Sequence, residues 1–437
     1  MEVFIKASQF ILSLSFLIVL HELGHFIPAK LFKTKVEKFY LFFDYRFSLW
    51  KKKVGETVYG IGWIPLGGYV KIAGMIDESM DTEQMQQEPQ PWEFRSKPAW
   101  QRLIIMLGGV TVNFILGWFI YVMMTFVWGA EFVKTEDIKH GFAVHESFQQ
   151  YGFEQGDRIL KINGEEPFDV TDINKNLFLR DVQTVEVLHV DGTTEEISVP
   201  ENIGSSMWEA GIMEPFTPRT LAVIDTIVPE NPAAKAGLLK NDKVIAVNGD
   251  SLTYWQEFTT LVQKSEGTIS VLVERDGISQ TVEVSPNETR RIGVSNYTMR
   301  GVEVSHAEFS FAESISKGSA MAYWTLKDYI TQFKYVFTKK GATSIGGFIA
   351  IGSIFPSTWS WQAFWGITAF LSIMLGFMNL LPIPALDGGH VVFTLYEIIT
   401  GRKPSDKFME YAQMTGFLLL IALLILANGN DIVKLFS

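Results

Sequence analysis

The stretch Phe16-Leu17-Ile18-Val19-Leu20-His21-Glu22-Leu23-Gly24-His25-Phe26 puts three ionisable side chains inside an apolar run from about Ala7 to Ala29. A run of about 20 apolar residues is the length of helix that crosses a bilayer. Ionisable groups at that depth are costly and mark a functional site. Positions i and i+4 of a helix share one face, so His21 and His25 can hold one metal ion. Glu22 follows the first of them and can reach a metal-bound water. The pattern H-E-x-x-H on a helix is that of a zinc site with a glutamate general base. The run lacks a small-residue cleavage site, so it reads as a retained span and not as a signal peptide.

Three further apolar segments lie at about Leu103–Val127, Ala363–Leu381 and Tyr411–Asn428, the last ending at Asn428, Asn430 and Asp431. Four spans of this length predict a polytopic α-helical membrane protein. The 437 residues contain no cysteine. That excludes a disulfide scaffold, a thiol nucleophile and Cys-ligated zinc or iron–sulfur centres. The net charge of −11 argues against a nucleic-acid partner, which needs a basic face. The charge is unevenly spread: residues 130–305 hold 29 Asp and Glu against 15 Lys and Arg. This is the composition of a water-facing block set between apolar spans. Twelve lysines and arginines lie between the first two spans, and Arg402, Lys403 and Lys407 lie between the last two. Such loops stay on the cytoplasmic side, which sends both termini and the block 130–362 to the other.

Zinc needs a third protein ligand and one open position. The candidates lie in Asn379-Leu-Leu-Pro-Ile-Pro-Ala-Leu-Asp387-Gly-Gly-His390. Asp387 ends the third span, and His390 is its rival, a better zinc ligand by type. Pro382 and Pro384 break the helix there, which is tolerated at membrane depth only when the backbone is buried or lines a cavity. A metal-ion transporter or a membrane scaffold with a structural zinc site, working through its inserted domains, are competing readings. Glu22 weighs against both, because neither uses a carboxylate beside the ligand pair that is not itself a ligand.

The acidic block repeats itself. Gly152-Phe-Glu-Gln-Gly-Asp157 and Asn163-Gly164 return as Gly237-Leu-Leu-Lys-Asn-Asp242 and Asn248-Gly249, and Asp191-Gly192 returns as Asp276-Gly277, all 85 residues on. Each Asp-Gly divides two alternating runs, the signal for a two-residue hairpin. Ala233-Ala-Lys-Ala-Gly-Leu-Leu-Lys-Asn-Asp-Lys-Val-Ile-Ala-Val-Asn-Gly249 resembles the PDZ domain, with a weaker copy before it. Such domains capture extended peptides, often C-termini, at a sheet edge.

Thr57 to Gly74 is apolar, aromatic and rich in glycine, with period-2 runs on both sides of Pro65. These runs predict a β-hairpin that dips into the membrane. Phe309 to Lys340 mixes apolar and charged positions as an interfacial amphipathic helix does.

His21-Glu-Leu-Gly-His25, Asn379-x-x-Pro-x-Pro-x-Leu-Asp-Gly388 and Ile64-Pro-Leu-Gly-Gly-Tyr-Val-Lys71 together resemble the site-2 protease family of intramembrane zinc metalloproteases, and with the repeats the resemblance covers nearly the whole chain. It implies that His21, His25 and Asp387 bind Zn2+, that Glu22 is the general base, and that Asn379 holds the substrate backbone or the oxyanion. It implies that Gly67, Gly68 and Tyr69 meet an unfolded substrate, a single-span membrane protein such as an anti-sigma factor, or a remnant signal peptide. It also implies a bacterial inner membrane with the repeats in the periplasm and the zinc site near the cytoplasmic side. One departure is Val110, where relatives carry proline. The expected organisation is a first membrane part at 1–129, PDZ-like domains at 130–213 and 214–305, an interfacial segment at 306–361, and a second membrane part at 362–437.

Overall fold

The computed structural model describes residues 1–75 and 88–436. Two compact units divide the chain: Met1–Gly129 with Glu308–Ser437, and Ala130–Ala307.

The first unit begins with α1 (Glu2–Leu31), an apolar helix with a single proline, Pro28, in its last turn. Four strands follow: β1 (Val36–Phe43), β2 (Trp50–Val54), β3 (Thr57–Ile61) and β4 (Ile64–Ile72). Their order is β2-β3-β1-β4. The hairpin expected around Pro65 is therefore not formed. β3 runs parallel to β1 and β4 antiparallel to it, with β1 between them. The two-residue link Gly62-Trp63 crosses the end of β1 instead of turning back on itself, because the apolar β1 takes the central place. Pro65 is accommodated because β4 is an edge strand, where a missing N–H breaks no ladder. α2 (Ala99–Trp128) crosses against α1, and Gly129 ends it with φ 61°.

The second unit has its two ends paired. β5 (Ala130–Phe132) is antiparallel to β17 (Ser305–Ala307). Between them lie β6 (Phe142–Val144), α3 (Glu146–Gln149), β7 (Arg158–Ile162), α4 (Ile173–Leu179), β8 (Thr184–Leu188), β9 (Thr194–Ser198), α5 (Ile203–Ala210) and β10 (Phe216–Pro218). Then come β11 (Thr226–Ile227), α6 (Pro232–Ala236), β12 (Lys243–Val247), β13 (Asp250–Ser251), α7 (Trp255–Lys264), β14 (Ile269–Arg275), β15 (Ile278–Val284) and β16 (Val294–Ser295). One sheet runs β7-β8-β9 and the other β13-β12-β14-β15. β10 pairs with β6, and Phe216 packs on Phe142, Phe148 and Phe153. Residues 216–218, beyond the expected boundary at 213, thus pair and pack with the first copy. The repeated turns marked each copy's middle, while its last strand has no motif of its own.

The copies also differ by one residue. Arg158 faces Leu188 in the first, whereas Lys243 faces Glu274 in the second. The second hairpin turns on two residues, Asp276 and Gly277, both with positive φ. In the first, Gly192 N–H donates to His189 and His189 N–H to Thr193, so three residues form the turn. His189 therefore occupies the place of Arg275. Each meets a fully buried aspartate, Asp157 or Asp242.

The chain returns to the first unit with α8 (Phe311–Val336), capped reciprocally by Ser310 and Glu313. Its stripe does not wait for lipid. A Cβ on Gly318 would strike the Val122 backbone of α2. Thr325 Oγ1 lies 3.2 Å from the Tyr121 hydroxyl. α9 (Lys339–Ser344) and α10 (Phe348–Ser353) precede α11 (Trp361–Leu380), α12 (Asp387–Thr400) and α13 (Asp406–Phe436). Tyr329 meets Phe370 and Phe377 of α11 edge-on. The amphipathic helix is thus packed against two spans, since periodicity identifies an apolar stripe but not what covers it. α13 also runs past the expected stop at Asn428–Asp431. Asp431 accepts from Ile349 and Ala350 N–H at 3.0 and 3.1 Å, and Asn430 donates to Ala342 and Ile345 carbonyls at 3.0 Å. The polar residues that suggested an ending fasten α9 and α10.

Among the described residues, four helices are long and apolar enough to cross a membrane: Glu2–Leu31, Ala99–Trp128, Trp361–Leu380 and Lys407–Phe436. With the sheets, this is a polytopic membrane protein with β-rich parts.

Candidate metal centre

α1 carries His21 and His25 one turn apart, on the side facing α2. Both are buried. The helices meet through glycine: a Cβ on Gly24 would strike the Gly108 backbone, and one on Gly108 the Gly24 carbonyl. A Cβ on Gly109 would run into both imidazoles. Only a backbone without side chains lets α2 lie this close to the histidine rings.

The third member arrives from the other end of the chain. α11 stops at Leu380, and Pro382 and Pro384 keep the next turn non-helical. Ala385 takes φ 81°, unusual for a residue with a Cβ, and its N–H donates to Gln413 Oε1 of α13 at 3.1 Å. Gly416 leaves no room for a side chain against Pro384. The first residue of α12 is then Asp387. Its Oδ2 lies 3.4 Å from His21 Nε2 and 3.3 Å from His25 Nε2, and those nitrogens are 3.3 Å apart. The ligand atoms of the three residues lie within 4.8 Å of one another. Asp387 Oδ2 is buried without a conventional hydrogen-bond partner. Two imidazole nitrogens and an orphaned carboxylate oxygen converging in a buried place are a donor set that fits a zinc ion.

The remaining nitrogens are held from outside. His25 Nδ1 lies 2.8 Å from the Ile105 carbonyl, and His21 Nδ1 lies 3.0 Å from Asn113 Nδ2. Glu22 lies beside the cluster without belonging to it, and lines the same cavity as Val70. A cavity of ≈ 110 Å³ opens onto His21, Glu22, His25 and Asp387, room for several waters.

The other expected residues divide. Asn379, at the end of α11, lines the cavity with Nδ2 3.3 Å from His21 Nε2. Gly68 and Tyr69 line it as well. Gly68 has no space for a Cβ between Ile18 and the Tyr40 carbonyl. Tyr69 donates its hydroxyl to Asp44 at 2.8 Å and stacks on Tyr40 and Phe43, so its ring is committed to the sheet. Gly67 faces the Phe43 ring. His390 lines the cavity but lies outside the three-residue cluster. Sequence reasoning missed Gly109, Asn113 and Gln413. The first two stand in Gly109-Val110-Thr-Val-Asn113, a motif visible in the sequence with no chemistry attached to it.

The profile of Peptidase family M50 matches residues 9–423. This chain belongs to that family. It is a metalloprotease, and the cofactor of M50 peptidases is zinc. Relatives cover 98% of it. A protein named putative zinc metalloprotease from Vibrio cholerae is 29% identical over 98% of each chain. The regulator of sigma E protease of Haemophilus influenzae is 29% identical over 98% of each chain. The regulator of sigma-E protease RseP of Escherichia coli is 27% identical over 98% of each chain.

Proposed function

We propose that this M50 peptidase cuts peptide bonds within the transmembrane segments of single-span proteins, of the anti-sigma factor type or remnant signal peptides. The observation that carries this reading is the convergence of His21, His25 and Asp387, with Glu22 beside them, on a cavity among membrane-length helices. His21 Nε2, His25 Nε2 and Asp387 Oδ2 are the zinc ligands in this reading. Zinc held there supplies a Lewis acid that polarises the scissile carbonyl and lowers the pKa of water at its open position. Glu22 takes the proton of the attacking water and delivers it to the leaving amine. Asn379 steadies the carbonyl being attacked. A helical substrate hides its peptide bonds, so it must first be extended. β4 receives that extended segment by strand addition, and the presence of Gly68, Tyr69 and Val70 of β4 beside Glu22 in the cavity lining supports the placement.

The inserted unit acts as a selector in this reading. Its two copies are PDZ-like domains that bind C-termini of trimmed substrates and exclude substrates with bulky outer domains. The chain resides in a bacterial inner membrane, with this unit periplasmic and the zinc site toward the cytoplasm, as the lysine and arginine distribution supports.

The test is a cleavage assay on a panel of single-span model substrates with the full chain and Glu22→Gln. Cleavage inside the span that depends on Glu22 is expected. A zinc-loaded protein that cuts none of the panel, or cuts equally without Glu22, overturns the proposal.

A further inference from the structure

Asn113 is fully buried in α2, and its side chain does two unlike things. Its amide nitrogen sits 3.0 Å from His21 Nδ1, while its carbonyl oxygen is buried without a partner. The amide's two orientations impose opposite tautomers on His21. With the nitrogen toward Nδ1, the imidazole must accept there and carry its proton on Nε2, which then has no lone pair for a metal. With the oxygen toward Nδ1, the ring must donate there, and the Nε2 lone pair points at Asp387 Oδ2 and His25 Nε2. His25 already has the second arrangement available, because the Ile105 carbonyl, 2.8 Å from its Nδ1, can only accept.

We propose that Asn113 is a positioning residue for zinc: with its amide turned over so that the oxygen takes the place of the nitrogen, it accepts the His21 Nδ1–H and holds Nε2 in the ligating tautomer. The inference rests on the reading of His21, His25 and Asp387 as the zinc ligands. The two histidines are thus oriented by different means, His25 by a main-chain carbonyl that no substitution removes and His21 by one replaceable side chain. The site around Asn113 is built for it. Ser372 Oγ donates to its main-chain carbonyl at 2.7 Å, and Gly376 of α11 faces its Cβ and the Phe114 ring. A hydrogen-bond acceptor behind a ligating imidazole fixes the ring and raises its basicity, and loss of such a partner typically lowers metal affinity 10–100-fold.

The experiment measures Zn2+ affinity of the purified full chain by competition with a chelator of known affinity, for wild type, Asn113→Ala, Asn113→Asp and His21→Ala. Thermal stability of each metal-free protein is read alongside. Asn113→Ala should bind zinc about 10–100-fold more weakly, beyond any change in metal-free stability. Asn113→Asp restores an acceptor in the same place and should return affinity to within about threefold of wild type or above it. The inference is overturned if Asn113→Ala binds within about threefold of wild type, or if Asn113→Asp loses as much affinity as Asn113→Ala. Should Asn113→Ala fail to fold, Asn113→Asp decides alone: wild-type affinity or better supports the acceptor role, and loss of zinc overturns it. His21→Ala separates the two levels. If it keeps zinc at wild-type affinity, the ligand reading itself has failed. If it loses zinc while Asn113→Ala does not, only the role of Asn113 has.

Discussion

Gly24 of α1 and Gly108 of α2 touch backbone to backbone, each lacking the Cβ that would collide with the other. The contact lies one residue before His25 on one helix and one before Gly109 on the other, so the closeness of the helices and the orientation of the imidazoles are one feature. Gly109→Ala puts a methyl group into both rings. It should reduce cleavage by about 10²-fold or more, the effect of misplacing reacting groups by about an ångström. Zinc content falls with it. Full activity in a zinc-loaded Gly109→Ala protein would show that the rings have room the structure does not give them.

The three proposed ligands and the proposed base should separate by metal content. His21→Ala, His25→Ala and Asp387→Ala should lose zinc, measured per chain by elemental analysis. Glu22→Gln should keep it and lose about 10²–10⁴-fold in turnover. His390→Ala should keep zinc, because His390 lines the cavity outside the cluster. Zinc kept by Asp387→Ala and lost by His390→Ala would move the third ligand.

Orientation is testable because the chain has no native cysteine. Cysteine at Lys52 or Lys403 should resist a membrane-impermeant thiol reagent in intact spheroplasts, and cysteine at Asp191 or Asp276 should react. Labelling at Lys52 with protection at Asp191 would invert the topology.

The inserted unit should be removable. β5 and β17 bring its ends together as one ladder, so a short flexible linker can replace residues 130–307. Cleavage of a short model substrate should stay within about tenfold, since docking raises local concentration without altering the chemistry. The same deletion should permit cleavage of an untrimmed substrate that the intact protein refuses. Continued refusal by a zinc-loaded deletion variant would assign the unit another role.

His189 and Arg275 occupy matching places, but one is an imidazole and the other a guanidinium that keeps its charge. Burial opposes the charged form of His189, but hydrogen bonds to Asp157 and Glu195 and the charge of Glu154 outweigh it, raising the imidazole above its ordinary value of 6.5. A raised folded-state pKa gives stability that is fully present below the unfolded value and lost as pH climbs through the folded one. Hydrogen exchange of peptides covering β7–β9, corrected for intrinsic rate, should show less protection above that folded pKa than at pH 6. Peptides covering β12–β15, where Arg275 stays charged, should show no such step. His189→Arg should flatten the first profile, and a step that survives in it would exclude His189 as the cause.

The sequence by itself determined the membrane character, the four candidate spans, the repeat, and the pair His21 and His25 with Glu22 beside it. Each is written in a local signal: apolar length, a recurring turn motif, or ionisable groups at i and i+4 where lipid offers no solvation. It left Asp387 and His390 as rivals, because two residues three apart beyond a proline break differ only in where the break points them. Tertiary structure brings Asp387 and not His390 into one cluster with the two histidines, after a turn in which Ala385, at positive φ, donates its N–H to Gln413 from a helix about thirty residues on. It also placed β1 between β3 and β4 and set α8 against α2 and α11. It gave Phe216 to the first repeat and matched His189 with Arg275. All of these depend on which partner covers an apolar stripe or completes a ladder. A periodicity names the face to be buried, and only the packed chain supplies what buries it.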